Sequence, residues 1–233
     1  MSAKDRMANA QRFDDGAALA AQLAETVAAD LNRAVTDRGA ASLVVSGGRT
    51  PVPFFEALAA CPLDWSRVTV TLADERWVPE SDGSSNAALV REHLLRGPAA
   101  EATFVPLYDG SPDPDSGLAG CRDALTAVPS PLDVVILGMG GDGHTASLFP
   151  DTDFPDVDDP APCCVGTAPS APHARISLTP SRLLDSRRII LHITGLDKWG
   201  VLERACEQGP ARALPIRLFL HQQRTPVDVF WSP

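Results

Sequence analysis

Residues 132–150 read LDVVILGMGGDGHTASLFP. The apolar run from Leu132 to Leu137 reads as a buried strand. It passes directly into Gly138, Gly140, Gly141 and Gly143, which surround Asp142 and His144. Glycines at the end of a strand allow a tight turn and close approach of the backbone to a ligand. Open α/β sheets bind ligands just past the carboxyl ends of their strands, which is where Asp142 and His144 then fall. A histidine, with an ordinary pKa of about 6.5, suits proton transfer near neutrality. The stretch therefore predicts an α/β fold and a catalytic loop with a general base.

The flanking sequence extends this pattern. Asp14 or Asp15 is placed to cap a helix running to about Asp37. Residues 41–46 (ASLVVS) form a short apolar strand, followed by Gly47, Gly48, Arg49, Thr50 and Pro51, with Pro51 at the first turn of a helix reaching Ala60. A second strand, residues 67–72, ends at Asp74, Glu75, Arg76 and Trp77. Helices are predicted from Asn86 to Leu95 and from Ser116 to Val128, with a brief strand at Phe104-Val105 between them. Residues 150–162, dense in Asp and Pro, read as an irregular surface loop. Strands near 164–167, 175–178, 188–193 and 227–231 follow, with helices from Thr179 or Pro180, over 196–206 and over 215–222. Strands alternating with helices imply a mostly parallel sheet covered by helices on both faces. Residues 1–12 read as a flexible tail before a single α/β domain, 13–233.

Composition narrows the chemistry. The 233 residues are 44% hydrophobic and 21% charged, as expected of one globular core. No apolar run approaches the roughly 20 residues of a membrane helix, and the polar start of the chain lacks a signal-peptide pattern, so a cytoplasmic location is expected. Five cysteines without metal-type spacing read as free thiols, a redox role for the adjacent Cys163 and Cys164 being the alternative. The net charge of −10 argues against nucleic acid or an anionic membrane as partner. It leaves room for a small anion in a locally basic pocket. Of 20 basic residues only Lys4 and Lys198 are lysines, and a compact charge on a flexible stem fits phosphate capture by Lys198.

Three strand ends thus carry loops of unusual composition, and a parallel sheet gathers such loops at one edge. The first, residues 46–51, turns backbone N–H groups and a helix start toward an anion. It lacks the GxxxxGK[ST] spacing of a Walker loop. The second, with Asp74 and Arg76, can orient a substrate or stabilise charge, or can be a surface ion-pair cluster. The third holds Asp142 and His144. Arg175 and Lys198, near a strand end and a helix start, complete the candidates for a phosphate site. A metal bound by Asp74, Glu75, Asp142 and His144 is conceivable, although one histidine is a thin ligand set. His93, His173, His192 and His221 read as surface or core residues, and Trp65, Trp199 and Trp231 as core.

Together these motifs resemble the 6-phosphogluconolactonase family, within the wider glucosamine-6-phosphate isomerase/deaminase superfamily. The resemblance spans about residues 13–231. It is carried by Ser-Gly-Gly-Arg-Thr-Pro at 46–51, Asp-Glu-Arg-Trp-Val-Pro at 74–79, Ser85-Asn86, the glycine loop at 138–150, Pro-His-Ala-Arg-Ile-Ser-Leu-Thr-Pro at 172–180 and Gly-Leu-Asp-Lys at 195–198. It implies a Rossmann-like fold of the NagB/RpiA/CoA transferase-like type, no metal or organic cofactor, and hydrolysis of a phosphorylated sugar lactone by a monomer or weak homodimer. By matching position, His144 is the base that activates water, Asp142 lies beside it and Arg76 faces the lactone end. Gly47, Gly48, Thr50, Arg175 and Lys198 form the phosphate pocket. Arg49 departs from the Ser of many members, and either adds a phosphate contact or points to solvent.

Two rivals are weaker. The isomerase/deaminase branch follows its Gly-His pair with Ile-Ala-Phe-Asn-Glu-Pro, whose Glu assists ring opening, whereas no acid stands between His144 and Asp151 here. A sugar-phosphate sensor would carry a helix-turn-helix domain in front, for which about a dozen residues give no room.

Overall fold

A computed structural model describes residues 1–233. The chain begins with helix α1 (Ala3–Ala8), strand β1 (Gln11–Arg12), the long helix α2 (Gly16–Arg38) and strand β2 (Ala41–Val45). The Asp15 side chain accepts the Ala18 N–H at the start of α2, and Gly39 ends it in a left-handed turn with φ of 79°. Leu19, Leu23, Val27, Leu31 and Ala34 recur at helical spacing and make the buried stripe of α2. Next come α3 (Val52–Ala59), β3 (Val68–Leu72), β4 (Asp74–Arg76), α4 (Asn86–His93), β5 (Thr103–Val105), α5 (Pro114–Leu125) and β6 (Leu132–Leu137). The chain closes with β7 (Cys163–Thr167), β8 (Ala174–Leu178), α6 (Pro180–Leu184), β9 (Ser186–Thr194), α7 (Leu196–Cys206), α8 (Arg217–Leu220) and β10 (Val227–Ser232).

Seven strands form one sheet in the order β1-β10-β9-β6-β2-β3-β5, and every pair in it is parallel. All residues of β2 and β6 are buried, which requires cover on both faces of the sheet. The carboxyl ends of β2, β3, β6 and β9 therefore lie along one edge.

A second, antiparallel sheet has the order β4-β8-β7. The sequence places strands near 164–167 and 175–178 but does not separate them from the parallel sheet, and it treats Asp74–Arg76 as loop. The cause is a continuation. After β3 the chain runs through Ala73, whose carbonyl accepts the Leu178 N–H, straight into β4. There it pairs with β8 and not with a parallel neighbour.

The reading of residues 1–12 as a flexible tail gives way to a packed segment. The Ser2 side chain caps α1, and β1 pairs with β10. Arg6 is only 4% exposed and donates to the carbonyls of Phe219, Leu220 and Gln222 at the end of α8. These are acceptors that a helix end leaves unsatisfied, and the sequence alone offers no partner for them. Elsewhere the boundaries fall close to expectation, although the last helix is shorter than 215–222. Residues 150–162 contain no helix or strand, as expected, and Phe154 anchors them with Arg212 stacked 4.7 Å from its ring centre.

Arg6→Ala strands buried carbonyls and should cost about 1.5–3 kcal/mol of folding stability, read by urea unfolding. An unchanged midpoint would return residues 1–12 to the status of a tail.

Candidate active site

At the carboxyl edge of the sheet lies a cleft of about 390 Å³. Its first wall is the loop from β2 to α3. The Ser46 hydroxyl donates to the Ile136 carbonyl and accepts the Gly138 N–H, tying this loop to the end of β6. Gly47 has no room for a side chain, since a Cβ there would lie 1.8 Å from Asn86 Oδ1. Gly48 has φ of 91°, a conformation that glycine adopts freely. Arg49 and Thr50 follow at the cleft surface.

The second wall is β4, held by Glu75. That carboxylate is fully buried and accepts the backbone N–H groups of Arg76, Asn86 and Ala87 and the Ser85 hydroxyl. Burial pushes its pKa up, against the three N–H groups that pull it down. Glu75 thereby fixes the start of α4 against β4. Asn86 in turn donates to the Asp74 carbonyl, and its Oδ1 accepts from Arg76 Nη1, which also donates to the Ser84 carbonyl. Arg76 is gripped on one side only, and its Nε has no partner in the protein. The Asp74 carboxylate accepts from the Ser147 hydroxyl at 2.6 Å and so pins the loop that follows His144.

The third wall is the glycine loop. Asp142 Oδ1 lies 2.6 Å from His144 Nδ1 and also accepts the His144 N–H at 3.0 Å, closing an Asx turn across Gly143. An ionised carboxylate only accepts, so Nδ1 carries the proton and Nε2 of the neutral ring is the basic nitrogen. Phe149 packs on the ring at 4.8 Å between centres, and the Gly140 N–H donates to the His144 carbonyl. A Cβ on Gly140 would lie 2.2 Å from His144 Nδ1, so the ring occupies the space that only glycine leaves.

Basic groups supply the rest. Arg175 is 8% exposed, faces Arg76 across the β4–β8 pair, and has an unpartnered Nε and no ion pair within the protein. Burial first, and then the Arg76 charge, lower its pKa. Lys198 stands in the first turn of α7 and also lines the cleft, as does Arg49, and neither has a carboxylate partner. Four cations without ion-pair partners at one concave surface, beside Asp74, make the cleft a candidate site for an anion.

Of the residues singled out from sequence, Gly47, Gly48, Arg49, Thr50, Asp74, Arg76, His144, Arg175 and Lys198 all line this cleft. Asp142 reaches it through the His144 ring. Arg175 is the immediate neighbour of Arg76, an adjacency that no sequence spacing reveals. Glu75, Asp74 and Asp142 each spend their carboxylates on protein donors, and no three His, Cys, Asp or Glu side chains gather as ligands for a metal. Two residues of the cleft do not stand out in the sequence. Asn86 reads there as part of a motif and as a helix start, yet its Oδ1 holds Arg76. His192, read as surface or core, lines the cleft, and the one available signal was a polar residue inside the apolar run 189–193.

Comparison with known proteins bears on the chain as a whole. The family model described as glucosamine-6-phosphate isomerases/6-phosphogluconolactonase matches residues 14–231. A 6-phosphogluconolactonase of Mesorhizobium japonicum is 47% identical over 229 residues, covering 97% of this chain and 95% of that protein. The crystal structure of a 6-phosphogluconolactonase from Shewanella baltica superposes with a TM-score of 0.92 at 45% identity, covering 96% of this chain and 97% of the other. A monomeric glucosamine-6-phosphate deaminase of the NagB superfamily shares the fold, with a TM-score of 0.77 at 17% identity and coverage of 96% and 97%.

An anion site makes a prediction that needs no assay of turnover. Inorganic phosphate at ten times its Kd should stabilise the folded chain by about 1.4 kcal/mol, visible as a rise in Tm. Arg175→Ala should abolish that rise, and a variant that keeps it would remove Arg175 from the site.

Proposed function

The chain belongs to the glucosamine-6-phosphate isomerase/6-phosphogluconolactonase family, and we infer from that membership and from the cleft that it is an enzyme hydrolysing 6-phospho-D-glucono-1,5-lactone to 6-phospho-D-gluconate in the oxidative pentose phosphate pathway. The observation that carries the reading is the Asp142–His144 pair, set in a cleft whose cations make no ion pair within the protein.

The chemistry follows from the groups present. A lactone carbonyl is electrophilic enough to be attacked without a covalent nucleophile. His144 Nε2 takes a proton from water as its oxygen bonds to the carbonyl carbon. Asp142, on Nδ1, holds the ring in the tautomer this requires and balances the imidazolium that forms. The carbonyl oxygen becomes an oxyanion, for which Arg76 is the candidate donor through the side of its guanidinium that Ser84 and Asn86 leave open. When the carbon–ring oxygen bond breaks, the imidazolium returns its proton to the leaving oxygen. The phosphate, remote from the reacting carbon, contributes binding and positioning through Gly47, Gly48, Arg49, Thr50, Arg175 and Lys198. No step calls for a metal or an organic cofactor.

The reading extends to a single catalytic domain acting in the cytoplasm as a monomer or weak homodimer. Five free thiols accord with a reducing compartment, and no helix is long and apolar enough to cross a membrane.

The deciding assay is hydrolysis of freshly made 6-phosphogluconolactone with chelator present and the spontaneous rate subtracted. Activity well above background, and weak on unphosphorylated gluconolactone, is expected. His144→Ala should lower kcat by about 10² to 10⁴-fold with little change in KM, and near-normal turnover would refute the assigned base. Lys198→Ala should act in the opposite sense, raising KM for the phosphorylated lactone while sparing kcat.

A further inference from the structure

His192 stands apart from the other histidines. His93 meets Glu56 at 3.1 Å, His144 meets Asp142, and His173 and His221 each meet a backbone carbonyl at 2.8 Å. His192 is 5% exposed and, unlike these four, makes no side-chain hydrogen bond within the protein. A buried imidazole costs free energy unless its polar atoms are satisfied. Here the open space beside it is the cleft, which it lines.

Its surroundings tell which part of a substrate it meets. His192 lies on β9, two residues before the strand ends, with Phe54 of the first turn of α3 against its edge at 6.3 Å between centres. Lys198, in the first turn of α7, is the charge that acts on it. The ring thus packs against Phe54 near the start of α3 and feels the charge of Lys198 near the start of α7, and it shares the cleft lining with Gly47, Gly48, Arg49 and Thr50. Burial, and then Lys198, push its pKa down to about 4, so the ring is neutral at pH 7. A neutral imidazole offers one N–H and carries no charge to desolvate.

We propose that His192 is a positioning residue of the phosphate pocket, donating a hydrogen bond from its neutral ring to a phosphate oxygen beside Lys198. The inference rests on the lactonase reading for its substrate, but its contact is with the phosphate alone. It adds orientation to a pocket whose cations attract charge with little directional demand, and it gives a partner to a cleft-lining ring that has none within the protein.

The test compares His192→Phe, which keeps the aromatic volume, with His192→Asn, which keeps a donor. His192→Phe should raise KM for the phosphorylated lactone, and the inhibition constant of inorganic phosphate, by about 10-fold each. Its kcat, and its activity on unphosphorylated gluconolactone, should stay within about twofold of wild type, and His192→Asn should recover part of the loss. Native KM in His192→Phe, or equal losses on the two lactones, would overturn the proposal. If His192→Phe does not fold, a nitrogen NMR titration of the wild-type protein with inorganic phosphate decides the matter. Ring resonances of His192 that move with saturation support the contact, and resonances that stay fixed refute it. That titration is independent of turnover, so failure of the lactonase reading would show as absent hydrolysis while the phosphate contact could still be read.

Discussion

Parallel pairing is the constraint on which the cleft depends. With seven strands running the same way, the loops after β2, β3, β6 and β9 emerge at one edge although they lie as far as about 150 residues apart in sequence. The registers Leu43 with Val134 and Val135 with Ile189 align the ends of three central strands. Complete burial of β2 and β6 holds that alignment, because a slip of one residue would exchange the two faces of a strand in a packed core. The Ser46 hydroxyl, bonded to both Ile136 and Gly138, transmits the register directly to the two glycine loops.

The small antiparallel sheet supplies what the parallel one does not. Asp74 and Arg76 on β4 and Arg175 on β8 come from this second sheet, and their arrangement depends on Glu75. The N–H groups at the start of a helix form a ready anion site. The start of α4 spends that capacity on the protein's own carboxylate, which accepts from Asn86 and Ala87. The desolvation of Glu75 is thereby offset in part, and Asn86 is left in place to hold Arg76. The starts of α3 and α7 are not closed by any side-chain cap, and both border the cleft.

Much of this was legible from sequence because the relevant signals are local. A run of apolar residues before glycines, the capping Asp15, and Pro51 at a helix start each depend on a few neighbours, and the corresponding elements lie within a residue or two of expectation. The departures share one cause, which is distance along the chain. The β4–β8 pairing joins residues about 100 apart, and Arg6 finds its acceptors more than 200 residues away. Neither leaves a pattern in its own segment. His192 is buried, as a core residue is, but it also lines the cleft, and that is not legible in its segment. A polar residue in an apolar strand reads as a core histidine until the structure reveals whether a partner faces it.

Net charge and local charge answer different questions in this molecule. The chain carries −10, yet Arg49, Arg76, Arg175 and Lys198 converge on one cleft in which Asp74 is engaged by Ser147 and Asp142 by His144. Burial first, and then the neighbouring Arg76 charge, disfavour the charged form of Arg175. A fold selected for stability alone would pair these cations with carboxylates, of which the sequence has 30. None of the four makes an ion pair, and the carboxylates of Asp74 and Glu75 offset the charge of Arg175 only from a distance. On the proposed reading, a phosphate entering the cleft would relieve part of the repulsion between Arg76 and Arg175.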